Sequence, residues 1–191
     1  MPPLPNQGAT AVELGCATGA FLEKLRAAGW QPRGIEPVAT AAAEAQRRGF
    51  SIHVGMLESA QLESDAFDAA FAWMVIEHLT NPRETLVELR RTLKTDGWLV
   101  FSVPNVACWE PYVSGKSWMV WELPRHLQHF TPRRLRSLLA DCGYDRIDII
   151  HQRNLLNVVT SVGIVLTRWF PRSRSAQRVL NWANHRRCGG S

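Results

Sequence analysis

An acidic residue and a glycine loop near the start of the chain have the types and spacing to hold a charged ligand. Glu13 ends a short apolar run and lies two residues before Gly15, which begins the sequence Gly-Cys-Ala-Thr-Gly up to Gly19. The glycines allow a tight turn and a close approach of the backbone to a ligand. The loop lacks the lysine of a P-loop and the glycine spacing of a dinucleotide site. A carboxylate at position 13 repels a phosphate but suits a cation or an amine.

A second carboxylate, that of Glu36, follows the predicted second strand. It lies about twenty residues after the glycine loop, where doubly wound folds place an acid that binds a ribose. One carboxylate can accept both hydroxyl protons of the ribose diol. The alternative is a solvated acid in the turn before Pro37, and its position relative to the loop favours the ribose role.

Three further residues have side chains that could accept a proton, as a general base does. Glu77 and His78 follow the predicted fourth strand, and His126 lies in a long aromatic segment. We predict that these three are the catalytic candidates. The alternative for Glu77 and His78 is that they cap a helix and brace a loop, and for His126 that it binds backbone. His129 is predicted to pack before the helix that Thr131 begins.

Apolar runs and helical patterns alternate along the chain. The sequence predicts strands at 11–14, 31–35, 51–54, 67–74, 98–103 and 147–150, and helices at 21–28, 38–48, 82–94 and 132–142, with Asn81 as the cap of the third helix. This alternation predicts an α/β fold with a Rossmann-like, doubly wound, mostly parallel sheet. The carboxyl ends of such strands form one binding edge. The candidate residues at that edge are those of the glycine loop, Glu36, Met56, Trp73 and Asn105.

The composition is that of an ordinary globular protein, with 46% hydrophobic and 20% charged residues. The four cysteines show no C-x-x-C spacing, which argues against a zinc site or a disulfide framework and for a reducing compartment. We therefore predict a cytoplasmic location. Seven arginines and no acidic residue lie between positions 151 and 191, so the basic character of the chain comes from this tail.

The composition divides the chain at about residue 150. We predict a domain over 1–150, whose segment 106–130 forms an aromatic, substrate-facing loop, and a basic, partly apolar helical extension over 151–191. The apolar run 155–170 is shorter than the roughly twenty residues that span a bilayer. The tail from 155 to 187 is expected to pack in a homodimer or on the domain, with a peripheral membrane contact as the second alternative.

Seven short motifs occur in an order that resembles class I S-adenosylmethionine (SAM)-dependent methyltransferases, closest to the quinone-biosynthesis and natural-product O-methyltransferases. The resemblance covers about 140 residues, and each motif lies at the predicted strand, loop or helix where the family has it. Its motifs begin at Glu13, Gly34, Phe67, Glu77, Leu93, Val103 and His126. One departure is Ala17, which replaces the middle glycine of the first motif.

The resemblance implies SAM as the cofactor and methyl transfer to a small-molecule acceptor, aromatic or lipid-linked, by in-line attack. It implies that Glu13 faces the amino end of the cofactor and Glu36 its ribose. The other residues that it places at the cofactor are Gly15, Cys16, Ala17, Thr18 and Gly19 of the loop, Met56 and Leu57 beside the adenine, and Trp73 and Met74 near the sulfonium.

Some relatives hold a divalent ion with Glu-x-x-Glu-His and a later histidine. Here the first of these glutamates is replaced by Met74, whose thioether is a poor ligand for a hard cation. We therefore predict no metal. The family also has a helix before the first strand and a last antiparallel strand, neither of which is evident, so the resemblance suggests truncation at one or both ends.

Two other functions stay open at this stage. A degenerate or partner-completed domain that binds SAM without turnover would fit the missing end segments. A nucleic-acid methyltransferase would fit the arginine tail, but residues 1–150 carry slightly more acidic than basic groups. An oxidoreductase that uses NAD is a more distant alternative, because the loop lacks a close-spaced glycine pair.

Overall fold

The computed structural model describes residues 8–115, 118, 121, 122 and 124–151, which are built around a parallel sheet of five strands. In chain order the strands are β1 (Thr10–Leu14), β2 (Gln31–Glu36), β3 (Ser51–Val54), β4 (Phe67–Trp73) and β5 (Leu93–Ser102). Their order in the sheet is β3-β2-β1-β4-β5. The chain moves outward from β1 to β3 and then returns to β4 beside β1, which places the switch point of a doubly wound sheet between β1 and β4. The predicted Rossmann-like fold is confirmed.

The helices begin and end close to the predicted positions. They are α1 (Ala20–Ala27), α2 (Ala39–Arg47), α3 (Pro82–Thr92), the short α4 (Glu110–Ser114) and α5 (Pro132–Asp141). Gly29 and Gly49 follow α1 and α2 with φ values of 90° and 81°, the left-handed conformation in which glycine commonly ends a helix. The Thr131 hydroxyl accepts a hydrogen bond from the Arg134 N–H at 3.2 Å and caps α5 as expected.

Hydrophobic side chains cover both faces of the sheet. On one face Leu22 and Leu25 of α1 pack with Phe71 of β4. On the other, Leu86 and Leu89 of α3 and two leucines of α5 pack against apolar residues of β1, β2 and β4. Burial of these faces is the main force that holds the sheet in place, at roughly 25 cal/mol per Å² of apolar surface. The carboxyl edge of the sheet is thereby left to polar residues and loops.

The structure corrects two predicted elements on β5 and α3. Asp96 and Gly97 do not separate a helix from a strand, because β5 already begins at Leu93. Phe67 pairs with Leu93 and Ala69 with Trp98, so Asp96 and Gly97 lie in a bulge that is longer on β5 than on β4. Asn81 precedes α3, but its side chain caps no N–H of that helix.

The predicted sixth strand at 147–150 is wrong. The segment is not in a strand and pairs with none of the strands that the structure describes. Ile150 is exposed, and the Ile147 carbonyl accepts a hydrogen bond from the Arg136 guanidinium. Beyond β5, the pairing is made instead by a parallel bridge between Asn105 and Phe130. This bridge brings the end of the aromatic loop to the carboxyl edge of the sheet.

We expect the change Asp68→Asn to lower the free energy of unfolding by about 2 kcal/mol at pH 7, measured by urea unfolding. The Asp68 carboxylate accepts hydrogen bonds from the N–H and hydroxyl of Thr10 and from Lys94, at 2.9, 3.0 and 2.8 Å. Burial acts to raise its pKa, but these bonds outweigh burial and the pKa lies below its usual value. The difference between wild type and variant should therefore shrink as the pH falls below about 4, when the carboxylate is protonated. A difference that does not change with pH would contradict this origin.

The predicted helical extension over 151–191 lies outside the described residues beyond residue 151, as does the expected packing of 155–187. Among the helices that the structure does describe, none has the length and apolar character to cross a membrane.

Candidate active site

The glycine loop passes from β1 to α1 through three residues with positive φ. Gly15, Ala17 and Gly19 have φ values of 72°, 47° and 83°, a region that glycine enters without strain and alanine does not. A Cβ at Gly15 would lie 2.6 Å from Cγ2 of Val75, which follows β4. Glycine at this position therefore lets the loop pack directly on the segment that leads to Glu77.

The carboxylate of Glu36 holds this loop from the neighbouring strand. It accepts hydrogen bonds from the N–H groups of Ala17 and Val38, both at 2.9 Å. β1 and β2 pair in parallel with Leu14 opposite Ile35, so Glu36 emerges beside the loop. Only 6% of Glu36 is exposed. The predicted ribose acid is thus fixed at the turn, with lone pairs beyond those two bonds to accept further protons.

Glu13 lies beneath the loop, and one of its carboxylate oxygens has no partner among the described residues. Its Oε2 is buried without a hydrogen bond, and only 3% of the residue is exposed. Burial, with the charge of Glu36 as the second cause, raises the pKa of Glu13 to about 8. A buried carboxyl group of this kind binds a cation well, because the cation replaces the lost hydration.

The other cofactor candidates separate into two groups. Thr18, Met56 and Met74 are exposed at the carboxyl edge. The side chains of Cys16 and Leu57 are 3% and 1% exposed and pack inward, so these two residues can reach a cofactor only through their backbone. A Cβ on Gly34 would lie 2.5 Å from the Cys16 sulfur, which confirms that this thiol points into the sheet. Burial raises its pKa to about 12.

Trp73 and Met74, at the end of β4, differ from each other in environment. The indole of Trp73 packs edge-on against Phe21 of α1, with ring centres 5.1 Å apart, and its buried N–H has no partner among the described residues. Met74 has φ 54°, and its N–H donates to the carbonyl and the hydroxyl of Ser102. The chain therefore turns sharply after β4, and this turn directs it toward Glu77.

The three predicted proton-transfer residues come together after β4. Glu77, His78 and His126 each offer one ligand atom, and these atoms lie within 4.8 Å of one another. The imidazole rings of His78 and His126 are 4.7 Å apart, edge to face. Glu77 is fully buried, its two carboxylate oxygens have no partner among the described residues, and burial raises its pKa.

Backbone hydrogen bonds hold the end of the aromatic loop on this cluster. The carbonyl of Glu77 accepts from the N–H groups of Leu127 and Gln128 at 2.9 and 3.0 Å. The Nδ1 of His78 donates to the Arg125 carbonyl at 2.9 Å, since a carbonyl can only accept. This bond leaves the lone pair of neutral His78 on Nε2. His78 is half-buried, whereas only 3% of His126 is exposed.

Aromatic residues of the loop pack among themselves. Trp121 lies edge-on to Trp118 and to His129, with ring centres 5.2 and 5.0 Å apart, and the Trp118 N–H donates to Glu110 at 2.8 Å. His129 packs before the α5 cap, as predicted. Trp109 and Tyr112 are exposed, which leaves two aromatic rings on the surface of the loop. Neither Val75 nor Glu122 was identified as a site residue from the sequence.

The chain is similar to known methyltransferases. The methyltransferase domain family matches residues 1–149. The ubiquinone biosynthesis O-methyltransferase of Cereibacter sphaeroides is 26% identical over 159 residues, which cover 76% of this chain and 64% of that protein. The malonyl-[acyl-carrier protein] O-methyltransferase of Serratia marcescens is 24% identical, over 80% of this chain and 59% of that protein. The chain thus spans less than two thirds of the length of either relative.

Among solved structures, the chain resembles a SAM-dependent methyltransferase of Thermotoga maritima, described as a possible histamine N-methyltransferase. The TM-score is 0.62 and the identity 25%, over 75% of this chain and 66% of that one. The functions for which these proteins are named differ in the atom that is methylated, so the likeness establishes the fold and the cofactor class but leaves the acceptor open.

Proposed function

Because the chain belongs to the methyltransferase domain family of SAM-dependent enzymes, we propose that it transfers a methyl group from SAM to a hydroxyl oxygen of a small aromatic acceptor. One observation carries the proposal: Glu77, His78 and His126 lie together at the sheet edge that also holds the glycine loop. Val75 connects the glycine loop with this cluster, since it packs on Gly15 and lies two residues before Glu77. A cofactor site and a proton acceptor are therefore neighbours.

The residues of the glycine loop fit the cofactor. The buried Oε2 of Glu13, which has no hydrogen-bond partner in the described part of the chain, suits the amino group of the methionine part. Glu36 suits the ribose diol, and the exposed Met56 offers an apolar surface to the adenine. The first N–H groups of α1 have no partner within the helix and face the same edge. When bound, SAM supplies a methyl group that its positive sulfur has already activated.

The chain then has to position the acceptor and remove one proton. We assign the proton to Nε2 of His78, because the Arg125 carbonyl holds the hydrogen of its other nitrogen and the ring is half-buried. His126, which was also a candidate base, is almost completely buried and supports His78 by ring contact. General-base catalysis of this kind contributes about 10²- to 10⁴-fold to the rate.

The presence of a base favours a phenol over a carboxylic acid as the acceptor. A carboxylate is ionised at neutral pH and attacks without help, whereas a phenol with a pKa near 10 must lose its proton. Of the two relatives, the ubiquinone biosynthesis enzyme is therefore the better guide to the acceptor than the enzyme that methylates a malonyl group. The aromatic residues Trp109 and Tyr112, exposed on the loop, suit a flat, apolar acceptor.

We expect the change His78→Gln to lower kcat for phenolic acceptors about 100-fold and to leave the Kd for SAM unchanged. Methylated product from a panel of catechols and simple phenols would be measured by mass spectrometry. The exposed His151 offers a matched control, and His151→Gln should behave as wild type. If carboxylic acids are methylated and phenols are not, the proposed acceptor is wrong.

We also propose that turnover needs no metal ion. Two imidazoles and one carboxylate are nearer to the ligands of zinc than of magnesium. However, the position that would supply a second carboxylate is occupied by Met74, whose thioether is a poor ligand for a hard cation. We expect the rate of methyl transfer to stay within twofold after dialysis against a chelator. A loss of activity that zinc or magnesium restores would overturn this part of the proposal.

A further inference from the structure

A single turn of the aromatic loop fixes both imidazoles of the site. The carbonyl of Glu122 accepts hydrogen bonds from the N–H groups of Arg125 and His126, at 2.8 and 3.1 Å. At the end of this turn the Arg125 carbonyl accepts from His78, and the Glu122 carboxylate lies 3.3 Å from Nε2 of His126. The orientation of both rings therefore depends on the conformation of Glu122 and of residues 124 to 126.

The carboxylate of Glu122 is divided between the surface and the interior. Its Oε1 lies 3.0 Å from the guanidinium of Arg125, a side chain that is 74% exposed, and its Oε2 meets His126, which is 3% exposed. The exposed pair contributes little to stability. The contact with the buried imidazole is stronger, because it is shielded from water.

The backbone of Glu122 is strained. Its φ of 38° lies in the left-handed region, which costs a residue other than glycine about 1 kcal/mol or more. Glycine or asparagine would relieve this strain. A glutamate at this position is therefore not explained by the turn alone, whereas a contact between its carboxylate and His126 does explain it.

We propose that Glu122 is a positioning residue, whose carboxylate orients His126 and, through the ring contact, His78 for proton transfer. The inference rests on the proposed function, in which His78 accepts the proton of the acceptor. The Glu122 carboxylate lies 3.3 Å from Nε2 of His126, which favours the tautomer that carries its hydrogen on that nitrogen. Glu122 does not touch the acceptor and acts through the imidazoles.

The test compares the NMR shifts of the histidine ring nitrogens, which report the tautomer of each ring, with the steady-state kinetics of the purified protein for a catechol. In Glu122→Gln the ring shifts of His126 should change, and kcat should fall about tenfold while the KM for SAM stays the same. Glu122→Gly suits the turn but lacks the carboxylate, so it should show the same changes. The exposed Glu63 provides a control with the same loss of charge, and Glu63→Gln should leave the ring shifts and kcat unchanged.

Three outcomes would overturn the inference: unchanged ring shifts in Glu122→Gln, full activity in Glu122→Gly, or the same loss of activity in Glu63→Gln. A different result would count against the proposed function. If His78→Gln keeps the wild-type kcat, His78 is not the base. The ring shifts of His126 would still show whether Glu122 orients that ring.

Discussion

Replacement of Glu36 by alanine is expected to weaken SAM binding at least several hundred-fold, to below detection in a calorimetric titration. Two hydrogen bonds from a ribose diol to one carboxylate contribute about 1.5–3 kcal/mol each, and both are lost. The variant also removes the acceptor for the N–H groups of Ala17 and Val38, which hold the glycine loop. The variant should therefore lose both the hydrogen bonds to the ligand and the hydrogen bonds that hold the glycine loop.

A second variant separates these two causes. In Glu36→Gln the amide oxygen can still accept one backbone hydrogen bond, but its NH₂ group faces a second donor. We expect this variant to bind SAM more weakly than wild type and more tightly than Glu36→Ala. The exposed Glu63 again provides a control, and Glu63→Ala should bind SAM as wild type does. Circular dichroism would check that each variant is folded, and micromolar binding by folded Glu36→Ala would remove Glu36 from the cofactor site.

The sequence was a good guide to the fold because its patterns are local. Each predicted strand from β1 to β5 and each of the four predicted helices exists, since apolar periodicity and glycine stops act over a few residues. The match to the methyltransferase domain family confirms the resemblance to SAM-dependent methyltransferases. The sixth strand failed because strand formation needs a neighbour. The segment 147–150 has apolar residues but pairs with no strand among the described residues. Phe130, which lies in no strand pattern, instead forms the bridge with Asn105.

The placement of candidate residues was predictable where they lie at or near the end of a strand. Glu13 and Glu36 lie in the last two residues of β1 and β2, and Glu77 follows β4 after a short turn, so that the ends of the parallel strands bring them to one edge. The inward packing of Cys16 and Leu57 was not evident, since the side-chain direction in an irregular turn does not follow strand alternation. Glu122 could not be found from sequence. Its contact depends on a positive φ at a residue type that rarely adopts one.

The affinity for SAM should depend strongly on pH because of Glu13. Burial raises the pKa of this carboxyl to about 8, with the charge of Glu36 as the second cause, so that Glu13 is mostly protonated at pH 6 in the cofactor-free protein. We propose that the bound amino group of SAM requires the ionised form. Binding would then release a proton, and the Kd should fall about tenfold for each pH unit between 5.5 and 7.5, because one pKa unit corresponds to 1.36 kcal/mol.

In the cofactor-free protein, the carboxyl group of Glu13 should make the free energy of unfolding change with pH in the opposite direction. The folded state binds more protons than the unfolded state between the usual carboxyl pKa of 4.5 and about 8. Its free energy of unfolding should therefore decrease as the pH rises through this range, and the decrease should stop above it. SAM reverses this trend by stabilising the ionised carboxylate. The Tm measured with and without SAM should accordingly differ more at pH 8 than at pH 6.

Glu13→Gln is the matched variant, because it retains the shape of the side chain and cannot titrate. Its Kd for SAM should be independent of pH from 5.5 to 7.5 and should approach the wild-type value only at the acid end. Calorimetry in two buffers with different ionisation enthalpies would count the proton released by wild type at pH 6.5, and the variant should release none. If wild type binds SAM equally well at pH 5.5 and 7.5, the amino group does not meet the Glu13 carboxylate. The Glu13 Oε2, for which the described residues offer no hydrogen bond, would then have to bond to water that enters beneath the glycine loop.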